Sequence, residues 1–338
     1  MTRSASHNCV QHRRRPRYGT ILNLLLLLCL PAPGISAREK LQPYVNSLMQ
    51  GHHGAVMVSN PMTGQILAVW NPTGAFDKTY PPGSTAKLVA SAAALEEGVI
   101  SPGERDFCHR IPELLGDAYH CSHPPPDGPY TLASALANSC NYFFSALSVR
   151  LTSAQLAHWY AVFGFGSPAP GVGSLETSGE VRIGNSVVEK ALATLGQQSV
   201  LVTPAQLLLA YSAVATRGPV YRLWQSGPRG IHNSRIFRRV RLQPKTFQLL
   251  NSALLECVQS GICQAAAVAG VGVAGKTGTA TVVGGGRATH AWFVGYAPAS
   301  HPEIAVVVFL ERGTGARDAA PLGGKILRHY FASKDQKL

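Results

Sequence analysis

Three short clusters place nucleophilic, basic and amide side chains at spacings suited to acyl transfer. The first is Ser84-Thr85-Ala86-Lys87. Side chains three residues apart on a helix share one face, so the Ser84 hydroxyl and the Lys87 ammonium can meet. A serine needs a base to become a nucleophile, and a desolvated lysine with a lowered pKa can serve. A helix N-terminus at that point favours the negative charge that develops there. The second cluster is Ser139-Cys140-Asn141, set among Leu136, Ala137, Tyr142 and Phe143. Its two polar side chains are costly to bury there without partners, so Ser139 could pass a proton and Asn141 hold a substrate amide. The third is Lys276-Thr277-Gly278-Thr279. A glycine within a strand marks a close approach by another backbone, here a substrate lying alongside, with Lys276 and both threonines facing its carboxylate. Taken singly, each cluster also has a plain structural reading: an N-cap serine beside a snorkelling lysine, a buried capping pair, an edge-strand lysine among β-branched neighbours.

The elements that must position these clusters follow from hydrophobic periodicity. Residues 54–60 and 65–70 alternate with period two around the turn Pro61-Met62-Thr63-Gly64, which predicts a β-hairpin. A proline- and glycine-rich loop ends at Pro81-Pro82-Gly83, and an alanine- and leucine-rich helix runs from Ser84 to Glu97. Helical patterning continues over Thr131–Leu151, Ser153–Phe163 and Thr203–Thr216, the last opened by Thr203-Pro204. Strand patterning returns over Val271–Val283, Thr289–Ala297 and Glu303–Glu311, followed by a helix from Ala319 to Phe331. The expected fold is therefore α/β (α+β): one antiparallel five-stranded sheet flanked by helices, with an inserted, mostly helical lobe. The sheet lobe is expected over about 50–80 and 268–332 and the helical lobe over about 99–255. There is no internal repeat.

In this order, S-x-x-K, S-x-N and K-T-G form the motif set of penicillin-binding proteins and serine β-lactamases. The resemblance spans nearly all of residues 50–332 and is strongest to class B penicillin-binding proteins, the monofunctional transpeptidases. Pro81 to Lys87 resembles their nucleophile segment, and Leu132 to Asn141 their second motif, including its cysteine. Gly196-Gln197-Gln198 with Val202 to Leu207 resembles the helix after the cleft. Ala274 to Ala280 and Ala291 to Pro298 resemble the third-motif strand and the next one. The resemblance implies that Ser84 attacks the peptide carbonyl of a D-Ala-D-Ala stem, Lys87 takes its proton and Ser139 relays a proton to the leaving group. It also implies an oxyanion hole from the Ser84 and Thr279 N–H groups. Lys276, Thr277 and Thr279 would hold the terminal carboxylate, with Gly278 giving access and Asn141 holding the substrate amide. β-Lactams are the implied inhibitors, no cofactor is implied, and a membrane glycosyltransferase is a partner in keeping with the class. One departure concerns the N-terminal pedestal usual in class B members. Only a short segment separates Ala37 from the first expected strand, which predicts a nearly bare domain.

Residues 1–37 read as a secretory signal peptide or an N-terminal membrane anchor. Arg13, Arg14, Arg15 and Arg17 precede the apolar run Ile21–Leu30, then a turn and the small residues Ser36 and Ala37. The expected location is outside the cytoplasm, in a periplasm or on the outer face of the cytoplasmic membrane, with residues 38–338 as one transpeptidase domain. The net charge of +13 is partly due to this leader, and the cluster Arg229, Arg235, Arg238, Arg239 and Arg241 has no interleaved aromatic platform apart from Phe237. Nucleic acid is accordingly not an expected partner. In an oxidising compartment Cys108–Cys121 and Cys257–Cys263 are candidate disulfides. The run Cys108, His109, His120, Cys121, His123 fits no common zinc spacing, so no metal is expected, and Cys140 is left as a buried small residue.

The leading expectation is a peptidoglycan D,D-transpeptidase. A D,D-carboxypeptidase would use the same acyl-enzyme with water as acceptor. A serine β-lactamase would need a base for its deacylating water; Glu176 and Glu180 lie in the relevant stretch, but without the matching surroundings. A penicillin-binding sensor or scaffold would acylate without turnover.

Overall fold

The structure is a computed structural model that describes residues 37–169, 177–225, 234–282 and 284–335. Residues 1–36 of the expected leader, Glu176 and Arg229 lie outside the described residues. The sheet elements are β1 (Gly54–Ser59), β2 (Ile66–Trp70), β3 (Glu180–Val181), β4 (Val200–Leu201), β5 (Pro219–Tyr221), β6 (Ile236–Arg239), β7 (Ala274–Thr281), β8 (Thr289–Ala297) and β9 (Ile304–Leu310). Helices before the second motif are α1 (Ala37–Leu48), α2 (Pro72–Phe76), α3 (Lys87–Glu96) and α4 (Leu132–Ala137). After it come α5 (Asn141–Val149), α6 (Ser153–Phe163), α7 (Val187–Thr194), α8 (Pro204–Ala215), α9 (Pro244–Gln259) and α10 (Ala320–Asp335).

The five-stranded antiparallel sheet has the order β2-β1-β9-β8-β7, so the two ends of the domain sequence meet at the β1–β9 pairing. Val58 faces Val306 and Val56 faces Val308 across that seam. Every residue of β1 and β9 is buried, because apolar layers cover both faces. Met57, Val307 and Phe309 turn to the side packed by α8 and α3, while Val56, Val306 and Val308 turn to the side packed by α1 and α10. This two-sided burial is why β9 reads as an unbroken apolar run, Ile304-Ala-Val-Val-Val-Phe-Leu310, rather than an alternating one.

Both edges of the sheet are occupied by a glutamine side chain acting as a strand of one amide. On β2, Gln42 accepts from Val69 N at 2.9 Å and donates to Val69 O at 2.9 Å. On β7, Gln197 accepts from Thr281 N at 3.1 Å and donates to Thr279 O at 3.3 Å. Such a contact satisfies exposed ladder groups that would otherwise recruit another chain.

Two elements depart from the pattern-based expectation. Helix α1 was not expected, although Leu41, Val45 and Met49 recur at the four-residue spacing of a buried stripe and are all buried. The helix expected over Thr131–Leu151 is broken into α4 and α5, with Ser139 in the left-handed region at φ 57° between them. Periodicity runs through the break because Leu132, Leu136, Phe143 and Leu147 all reach the core, so apolar spacing alone does not reveal it. The arginine cluster falls partly on the β5–β6 hairpin, where Arg238 and Arg239 lie on β6. Among the described residues, no helix is long and apolar enough to cross a membrane.

Candidate active site

Ser84 lies in the 3-10 turn Gly83–Ala86 that leads into α3. The turn is pinned from several sides. Trp292 Nε1 donates to Pro81 O at 2.9 Å, Tyr211 Oη donates to Thr85 O at 2.9 Å, and Gly83 N donates to Gly196 O at 2.8 Å. Gly83 is required, with φ of 56° and with a Cβ that would fall 2.6 Å from Thr279 O. The nucleophile turn thus lies directly against the backbone of β7, the strand carrying the third cluster.

Gly278 has a different role from the one its sequence context suggests. The backbone that approaches it closely belongs to the protein itself: an added Cβ would meet Pro82 O at 2.6 Å and Thr85 Cγ2 at 3.0 Å. Gly278→Ala is therefore expected to push the Ser84 turn off the strand and cost about 1–3 kcal/mol, the usual range for overpacking. Thermal unfolding and penicillin acylation should fall together; an unchanged melting temperature would mean that the turn yields freely.

Lys87 joins the first two clusters. Its Nζ donates to Ser139 O at 2.7 Å, Asn141 Oδ1 at 2.6 Å and Ser139 Oγ at 3.3 Å. The helix break explains the first of these: a continuous helix would have used the Ser139 carbonyl internally. Lys87 is fully buried. Burial lowers its pKa from 10.5 to about 8, with the Cys140, Cys121 and Cys108 sulfurs acting in the opposite sense. Asn141 is held from the other end as well, its Nδ2 donating to Tyr119 O at 3.0 Å. In this arrangement the Asn141 amide orients the lysine and the 105–130 segment.

Lys276 is also fully buried, and burial, reinforced by the nearby Lys87 charge, holds its pKa well below the usual lysine value. It does not line the cleft; its Nζ donates to Thr277 O at 3.1 Å. Thr277 and Thr279 do line it, and Thr279 Oγ1 accepts from Gly315 N at 3.1 Å. The lysine expected to face a carboxylate instead lies behind the two hydroxyls that could do so.

The cleft has a volume of about 410 Å³ and brings together Ser84, Ser139, Asn141, Thr277 and Thr279. Tyr119, Gln197 and Arg317 also line it, and none of them was singled out as a site residue from sequence. Gln197 had a usable signal in its context Gly196-Gln197-Gln198. Arg317 had none, because its place depends on the turn after β9. No described residue lining the cleft is a carboxylate. Glu180 is paired with Arg182 at 2.7 Å.

Of the two expected cysteine pairs, one is bonded and the other is not. Cys257 and Cys263 are bonded. Cys108 and Cys121 are free thiols with sulfurs 3.6 Å apart, and Cys140 Sγ is a further 3.8 Å from Cys121 Sγ. No pair is singled out because three thiols share one small space.

The family model of the penicillin-binding protein transpeptidase domain matches residues 54–328. The chain belongs to this family. It is 32% identical over 275 residues to the peptidoglycan D,D-transpeptidase PbpA of Mycolicibacterium smegmatis, an alignment covering 74% of this chain and 54% of that protein. The chain spans about half the length of the curated relatives it matches. Among solved structures, the D,D-transpeptidase domain of a peptidoglycan glycosyltransferase from Eggerthella lenta superposes with a TM-score of 0.76 at 25% identity, covering 88% of this chain and 82% of that one. Penicillin-binding protein A from M. tuberculosis, solved as an imipenem acyl-enzyme, matches with a TM-score of 0.73 at 25% identity over 86% of this chain and 78% of that one.

Proposed function

We propose that this chain is a peptidoglycan D,D-transpeptidase that works through a Ser84 acyl-enzyme and binds β-lactams at the same serine. The observation that carries this reading is Lys87: a buried lysine one helical turn from Ser84, hydrogen-bonded to both Ser139 and Asn141. Ser84 Oγ attacks the carbonyl of the penultimate D-alanine of a stem peptide, and its proton passes to neutral Lys87 Nζ. The Ser84 and Thr279 N–H groups receive the oxyanion, and Thr277 and Thr279 hold the terminal carboxylate, with Lys276 behind them. Collapse breaks the C–N bond as a proton returns through Ser139 Oγ to the departing D-alanine amine. An acceptor amine then attacks the ester and gives its proton to Lys87, which returns it to Ser84 Oγ as the ester C–O bond breaks.

This reading places residues 38–338 outside the cytoplasm as one transpeptidase domain, with residues 1–37 as signal peptide or anchor and a membrane glycosyltransferase as partner. Among the described residues, no carboxylate lines the cleft to activate a deacylating water. The test is intact mass after incubation with benzylpenicillin, followed by reaction with a stem pentapeptide. A long-lived stoichiometric adduct and D-alanine release with crosslinked dimer are expected. Rapid hydrolysis of the penicillin would make the chain a β-lactamase, and D-alanine release without dimer a carboxypeptidase.

The lowered pKa of Lys87 fixes the pH dependence. The neutral amine is the base, so acylation should rise about tenfold per pH unit well below pH 8 and level off above it. The second-order rate of penicillin acylation measures this; a rate that falls as pH rises towards 8 would remove Lys87 as the base.

A further inference from the structure

The segment between α3 and α4 is mostly irregular, and it supplies Tyr119 and His120 to the cleft wall. Its ends are tied by the reciprocal backbone bonds of Asp106 and Tyr130, and Cys121 N reaches Arg110 O. At its centre four side chains converge: Cys108, Cys121 and His123 from the segment, and Cys140 from the N-cap of α5. Their four donor atoms all lie within 4.8 Å of one another. Zinc held tetrahedrally by sulfur at ~2.3 Å sets neighbouring donors ~3.8 Å apart. The sulfurs of Cys108 and Cys121 are 3.6 Å apart, those of Cys121 and Cys140 3.8 Å, and Cys108 Sγ is 3.7 Å from His123 Nε2.

The surroundings prepare these atoms as ligands. His123 Nδ1 is 2.7 Å from the Pro124 carbonyl, which can only accept, so Nδ1 carries the proton and Nε2 turns its lone pair to the sulfurs. Each sulfur accepts a backbone N–H: Arg110 N to Cys108 at 3.3 Å, Tyr142 N to Cys121 at 3.3 Å and Phe143 N to Cys140 at 3.4 Å. Such bonds favour the thiolate, the form a metal requires. The Arg110 guanidinium braces the loop by donating to His123 O and Cys121 O at 2.7 and 2.9 Å. Three thiolates this close repel one another unless a cation lies among them. Soft sulfur donors with one imidazole and no open position suit structural zinc.

We propose that Cys108, Cys121, His123 and Cys140 bind a single zinc ion that clips the 105–130 segment to the start of α5. This replaces the expectations of no metal and of a Cys108–Cys121 disulfide. A disulfide would draw two sulfurs to ~2.05 Å and leave Cys140 and His123 outside the bond. Spacing alone could not show the site, because its fourth ligand is separated from the others in sequence and comes from the second motif. The consequence for the cleft is direct: Cys140 lies between Ser139 and Asn141, the two residues that hold Lys87, and Asn141 is bonded to Tyr119 of the clipped segment.

The test uses the full chain, exported and purified without chelator. Elemental analysis should find one zinc per chain, and cobalt exchange should produce thiolate charge-transfer absorption with the intense visible bands of a tetrahedral site. His123→Ala and Cys140→Ser should each weaken zinc binding by at least about tenfold, whereas Cys257→Ser should leave the zinc content unchanged. If a ligand variant fails to fold, the cobalt spectrum of the wild type decides. Protein that takes up no metal, or a non-reduced peptide map with Cys108 joined to Cys121 in the active form, would overturn the proposal.

Discussion

Ser84→Ala is expected to abolish the covalent penicillin adduct while leaving the fold intact. Ser84 lines the cleft in a turn held by Trp292, Tyr211 and Gly196, and those contacts go to the backbone of residues 81–85 rather than to its side chain. Removing one partly exposed hydroxyl should therefore change stability by no more than about 0.5 kcal/mol. Intact mass after incubation with benzylpenicillin, read beside a thermal melt, separates loss of the nucleophile from loss of the fold. An adduct on the alanine variant would move the nucleophile elsewhere, and Ser139 would be the next residue to examine.

Lys87→Met is expected to reduce the acylation rate by about 10²–10⁴-fold, the range for loss of a positioned general base. Methionine approximates the length of the lysine but offers neither a proton acceptor nor a donor. Ser139 O and Asn141 Oδ1 would lose their partner in a closely packed setting, which adds a stability loss of about 1–3 kcal/mol. The two effects are separable with Lys87→Arg. Arginine retains donors but never becomes a neutral base, so a folded arginine variant should remain as slow as the methionine one. Second-order acylation rates for both variants, with melting temperatures, make the comparison. Acylation by either at the wild-type rate would leave Lys87 a structural role only.

The motif side chains could be named from sequence because their chemistry is local in kind even where it is not local in space. A serine three residues before a lysine at the start of a helix announces a shared face, and that pairing is written within four residues. The arrangement of the lysines was not legible in the same way. Lys87 and Lys276 look alike in their tetrapeptides, yet one bridges two clusters and the other sits behind a pair of threonines. Gly278 was readable as a point of close approach; that the approaching backbone was the nucleophile turn was not. The break at Ser139 escaped periodicity because both halves of the helix bury residues on the same core, and the left-handed residue between them is no glycine.

Periodicity marked the β1–β2 hairpin, the late strands and most of the helices, though not α1 or the break at Ser139, and three motifs in a fixed order pointed to the serine chemistry proposed above. The closure of β1 against β9 was implied only by needing one sheet from two distant stretches of strand. Tertiary structure alone decided which groups share a space. Cys140 looked like a leftover small residue until the fold placed its sulfur 3.8 Å from Cys121, and Gln197 looked like part of a helix context until its amide lay along the edge of β7. The physical reason is the same for both. Residue type states what a side chain can bond, while burial and long-range packing choose the partner, and these partners come from segments that no local pattern connects.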